Sequence, residues 1–156
     1  MFTVKRVHLF NVKKLLKVTD ILYKCGKDMA KKHDLHHWDN SVLKNLIIVF
    51  LCVLKNKIFL VYKDKSVVAT FQTRKKGSIF LFQKLATLPE VSGTGIGSFC
   101  LKTIEDTAKQ QKCKQVECEV YEKSEHAKVF YKNKGYKEFA VVETLKYKEI
   151  KLKKEL

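Results

Sequence analysis

Apolar residues recur along this chain at two different periods, and the changes of period divide it into elements. Phe2 to Val7 alternates weakly, as a strand does. From Asn11, a candidate N-cap, Val12, Leu15, Leu16, Leu22, Tyr23 and Met29 fall near helical spacing and predict a helix to about Lys31. The pattern breaks over His33 to Asn40. Beyond it, Asn40 or Ser41 caps a second helix, in which Leu43, Leu46, Ile47, Phe50, Leu51 and Leu54 recur at i, i+3, i+4, i+7, i+8 and i+11. Ile48, Val49, Cys52 and Val53 are apolar as well, so this helix is expected to be buried nearly all round. Its β-branched content leaves a strand reading open.

From Lys57 the texture changes to short apolar runs broken at Lys63-Asp64-Lys65 and Lys75-Lys76-Gly77, which predicts three antiparallel strands at about 57–62, 66–74 and 78–88. A helix follows from about Thr94, with Ile96, Phe99, Cys100, Ile104 and Ala108 on one face. Then come a strand at Lys114 to Tyr121, a short helix from Ser124 to Asn133 ended by Gly135, and a tail hairpin of two strands from Tyr136. This order predicts an α/β fold, a mixed sheet with helices on its faces. At roughly 150 residues per domain, residues 1–156 are expected to form one domain.

Composition narrows the classes. The apolar fraction of 46% supplies a packed core. The longest apolar run, Leu46 to Leu54, is short of the ~18 residues that span a bilayer, so no membrane role is expected. Met1 to Phe10 does not read as a secretory leader. Five cysteines, never spaced as C-x-x-C, fit reduced thiols in a cytoplasmic protein, and no metal site is expected. Basic residues outnumber acidic ones by 32 to 16, a net charge of +16, yet only Arg6 and Arg74 are arginine. Readers of nucleic-acid sequence favour the planar guanidinium fork, and the lysines here are spread along the chain. Specific nucleic-acid binding is therefore not expected, and a basic nucleic-acid-associated protein is kept as an alternative. The same field attracts anionic ligands.

Glycine is scarce, but Gly93, Gly95 and Gly97 lie within Ser92-Gly93-Thr94-Gly95-Ile96-Gly97, just after the only proline, Pro89. A helix starts here, so its first N–H groups lack intrahelical partners and the turn is a seat for phosphate. The alternative is a tight turn that only packs helix on strand. A Walker A loop is excluded because Ser98 and Phe99 follow Gly97 in place of Lys-Ser/Thr. A dinucleotide fingerprint fails because Ser98 stands where its third glycine belongs.

At these residues the chain resembles the GCN5-related N-acetyltransferase (GNAT) family, whose pyrophosphate loop is written Q/R-x-x-G-x-G/A. Ala127-Lys128-Val129-Phe130-Tyr131-Lys132-Asn133-Lys134-Gly135-Tyr136 is similar to that family's A-x-x-(F/L)-Y-x-x-x-G-F segment, and the spacing between the two motifs agrees. The resemblance implies an acyl-CoA N-acyltransferase fold with a mostly antiparallel sheet, and acetyl-CoA as cosubstrate with CoA as product. It implies a pantetheine arm lying along Leu85, Ala86 and Thr87 as an added strand. Its diphosphate would lie on Ser92, Gly93, Thr94, Gly95, Ile96, Gly97 and Ser98. Ser92 replaces the usual Arg or Gln, which leaves binding to amides. Ser124 stands where many relatives place a cofactor-binding Asn.

The resemblance also makes Tyr131 the acid for the departing thiolate; on its residues alone it reads equally as a core tyrosine. No acid occurs in Phe80-Leu81-Phe82-Gln83-Lys84, where some relatives carry the base. Glu117 and Glu119 share one face of their strand and are the candidate bases, with a water chain as the alternative. In this family the early helices and their connection build the acceptor pocket, which points to His37 and Trp38. The expected partner is a small-molecule or peptide amine, and the expected state is a monomer or homodimer. A non-catalytic CoA-binding member of the fold is the second functional reading.

Overall fold

Local signals set most element boundaries in the computed structural model, which describes residues 1–156. The elements are β1 (Phe2–Val7), α1 (Val12–His33), α2 (Val42–Lys55), β2 (Lys57–Lys63), β3 (Ser66–Lys76), β4 (Ile79–Thr87), a 3-10 turn (Pro89–Val91), α3 (Ile96–Gln110), β5 (Gln115–Tyr121), α4 (Glu125–Asn133), β6 (Lys137–Glu143) and β7 (Lys148–Glu155). Asn11 and Ser41 accept from the Lys14 and Lys44 N–H groups as N-caps. Asp34, left-handed at φ 55°, ends α1 two residues later than its apolar period suggests. Gly95, at φ 86°, starts α3 at Ile96 rather than Thr94.

The strands form one sheet in the order β1-β2-β3-β4-β5-β7-β6, antiparallel except between β4 and β5. Its two faces carry separate cores. Ile58 and Leu60 of β2 pack with Leu15, Val18, Ile21 and Leu22 of α1. On the other face Phe71, Phe80, Phe82 and Val116 pack with Ile96, Cys100, Leu101 and Ile104 of α3 and with Tyr131 of α4. This is the mixed sheet that the order of elements predicts, mostly antiparallel as the family resemblance implies.

The second helix departs from expectation. It is helical throughout, but only Asn45 and Val49 are buried, while Leu43, Ile47, Phe50, Leu51 and Leu54 are half or more open. A helix lying on the outside of its neighbour buries one stripe only. Here that stripe runs through Asn45 and Val49, with Cys52 and Val53 partly covered.

The sheet opens at its centre. Pairing of β4 with β5 is confined to Ile79, Phe80 and Leu81 against Gln115, Val116 and Glu117. Just beyond, a bulge sets Lys84 and Leu85 against the single residue Phe71, between the pairs Gln72↔Gln83 and Thr70↔Ala86, and Lys84 takes φ 51°. A bulge bends its strand, and from Phe82 onward the β5-facing edge of β4 carries no partner strand.

Candidate active site

The glycine turn ends in bare backbone. None of the N–H groups of residues 93–98 finds an acceptor within the protein, and Gly95 gives α3 no side-chain cap. Gly93 (φ 78°) and Gly95 (φ 86°) both adopt conformations that side chains resist, and nothing lies within 4 Å of the position a Cβ would take at either. Consecutive amides pointing into open space at the positive end of a helix form an anion cradle. The donor set fits a diphosphate.

From this cradle a cleft of about 440 Å³ runs between the unpaired end of β4 and α4, lined by Leu85, Thr87, Ser92, Gly93, Gly95, Gly97, Ser98, His126, Ala127, Phe130 and Tyr131. A second cavity of about 180 Å³ adjoins it, walled by Met29, His37, Trp38, Gln83, Lys84, Glu119, Tyr121, Ser124, Tyr147 and Glu149. Leu85, His126, Ala127 and Tyr131 belong to both. Tyr131 is 8% exposed and packs among Phe82, Phe130 and Tyr136. Burial, with Cys118 and Cys100 adding, holds its phenol well above the ordinary value, so it keeps its proton at neutral pH.

The second cavity is aromatic and acidic. His37 lies 4.4 Å from the Tyr121 ring and 5.8 Å from Trp38. Burial, then the charges of His126 and Lys84, lower its pKa to about 4, so its imidazole is neutral. Its Nδ1 is buried without a partner. The connection carrying both residues is pinned by Lys27 to Asp39 (2.7 Å) and by His36 between Asp34 and Asp39. It crosses α1 at Gly26, where a Cβ would stand 2.1 Å from the Trp38 carbonyl oxygen. Glu149 is held above the usual carboxylate range by burial and then by Glu119. The register Tyr121↔Glu149 and Glu119↔Lys151 puts these side chains on one face of the sheet.

The expected residues thus divide. Ser92, Gly93, Gly95, Gly97, Ser98, Leu85 and Thr87 line the first cleft. Ile96 and Ala86 are buried in the two cores and offer only backbone, and the Thr94 hydroxyl donates to the Val91 carbonyl. Ser124 lines the second cavity, not the first. His37, Trp38, Glu119 and Tyr131 meet there. Glu117 does not line that cavity: it is buried, accepts from Gln115 Nε2 (2.6 Å) and lines an adjoining pocket with Asn56, Thr73 and Arg74, to which Glu119 also belongs. Glu149, Tyr147, Tyr121 and Gly26 escaped sequence reading. The tail's alternation placed Glu149 on a strand, but its neighbour across the sheet is 28 residues away, at Tyr121.

Residues 55–138, more than half of the chain, match the model of the acetyltransferase (GNAT) domain, and the chain belongs to that family. The structure is similar to an acetyltransferase from Streptococcus agalactiae (16% identity, covering 99% of this chain and 98% of that one, TM-score 0.77). It is similar also to the ribosomal-protein-S18-alanine N-acetyltransferase from Escherichia coli (14%, 99% and 94%, 0.74). A third is the PaiA N-acetyltransferase from Thermoplasma acidophilum in complex with coenzyme A (13%, 100% and 99%, 0.75). At these identities the likeness is one of fold. No curated protein matches the sequence.

Proposed function

We propose that residues 1–156 act as one unit that transfers the acetyl group of acetyl-CoA to a primary amine of a small molecule or peptide, by direct attack with both bound. The observation that carries this reading is the meeting of two cavities at Tyr131, one leading to the bare amides and the other to the aromatic, acidic wall. Acetyl-CoA, when bound, supplies an activated acyl group as a thioester. The N–H groups of residues 93–98 hold its diphosphate, and the open edge of β4 offers hydrogen bonds to its pantetheine arm. Tyr131, kept protonated by burial, gives its hydroxyl proton to the departing thiolate. The attacking amine must lose a proton, which Glu119 or Glu149 accepts through water, and burial, then Glu119, raises the pKa of Glu149, which strengthens it as a base. Glu117 takes no part.

Thermal unfolding with and without acetyl-CoA, followed by CoA release with a panel of amines, tests the proposal. Stabilisation and amine-dependent release are expected. No stabilisation removes the cofactor site, and stabilisation with no release from any amine makes the chain a CoA binder.

A further inference from the structure

The outer side of α2 serves neither cavity. Leu43, Ile47, Phe50, Leu51 and Leu54 form an unbroken apolar stripe along it, from 50% exposed at Phe50 to 67% at Leu43. The helix contains no acid, and Lys44 and Lys55 are its only charges. The pairing of Val7 with Ile58, three residues past α2, brings this end of the helix beside the start of α1. There Phe10 (93% exposed), Val12 and Leu16 stand open, with Lys13 exposed and Lys14 partly exposed on the same first turns. The acids of α1 nearest along the chain, Asp20 and Asp28, are taken up by Lys24 and Lys32. No element of residues 1–156 covers the stripe.

Charge selects its occupant. A contiguous run of half-open apolar side chains marks an interaction surface. A second copy would bring another +16 charge and lysine-only rims, with no acid in α2 to answer them. An apolar helix face fringed by lysine alone instead fits a surface that is apolar beneath and anionic above.

We propose that α2, with the N-terminal end of α1, docks flat on an anionic lipid surface. The apolar stripe enters the acyl boundary while Lys13, Lys14, Lys44 and Lys55 meet headgroup phosphates. The docking is peripheral: α2 has 14 residues, and no helix here is long and apolar enough to cross a membrane.

Co-sedimentation of the full chain with phosphatidylcholine vesicles, and with vesicles in which about a third of the lipid is phosphatidylglycerol, tests this. Binding to the anionic vesicles alone is expected, and the double variant Ile47→Ser/Leu51→Ser should weaken it at least ~10-fold. Both residues are exposed, so the variant's thermal unfolding should match the parent's. As a second variant, Lys13→Gln/Lys14→Gln should weaken binding while leaving the stripe intact. Equal binding by the serine variant would reduce the effect to bulk charge and overturn the proposal. So would a parent that ignores both vesicle types, whether it sediments as a monomer or as a dimer that Ile47→Ser/Leu51→Ser dissociates.

Discussion

Tyr131 is a core side chain to which the proposed mechanism also gives a proton-donating role, and the two roles separate by experiment. Tyr131→Phe keeps the packing with Phe82 and Tyr136 but removes the proton donor, so turnover should fall roughly 100-fold with acetyl-CoA affinity unchanged. Steady-state rates beside a binding titration decide it, and equal rates would remove Tyr131 from the chemistry. His37 makes stability depend on pH. Its pKa is about 4 in the fold and ~6.5 when unfolded. The unfolded chain therefore binds the extra proton, and His37's contribution is complete above pH 6.5 and lost as pH falls toward 4. Urea unfolding across that window should show a shallower slope for His37→Phe. Gly26→Ala drives a methyl into the Trp38 carbonyl and should cost about 2 kcal/mol in the same assay. The glycine turn was legible in the sequence because its chemistry is local, whereas Tyr131 was singled out only through the resemblance of its segment to a family motif. Gly26 was not legible, because its neighbour is 12 residues on and comes close only when the connection folds back.

At the scale of elements, the role proposed for the turn before α3 rests on its backbone N–H groups. Gly95→Asp places a carboxylate among the bare amides and forces a side chain at φ 86°, so acetyl-CoA should no longer raise the melting temperature. Retained stabilisation would place the diphosphate elsewhere. The order of elements along the chain around this turn followed from period and turn residues. The opening of β4 from β5 did not, since it depends on how far two strands from different parts of the chain stay paired. For α2, a sequence apolar on every side predicts a helix without saying which side faces in. The choice fell to the stripe containing Asn45, a polar residue whose Nδ2 is left without a partner. Replacing an unpaired buried amide by an apolar side chain of like shape removes a desolvation cost, so Asn45→Leu should raise unfolding stability by about 1 kcal/mol.

Across the whole molecule the charge of +16 favours approach of an anionic cosubstrate. The association rate of acetyl-CoA in stopped-flow should fall on the order of 10-fold as salt rises from about 0.05 to about 0.5 M, since screening shortens the field's reach from over ~10 Å to a few. A flat salt profile would confine recognition to contact. What the chain's own order determined was short-range: caps, alternation, helical period, the glycines and the overall sign of charge, each arising among residues a few positions apart. Only the tertiary structure decided that Glu149 joins Glu119 in a cavity whose wall Glu117 does not reach, and that the apolar stripe of α2 lies outward. Those outcomes depend on strand register and helix facing, which are settled by contacts between segments far apart in sequence.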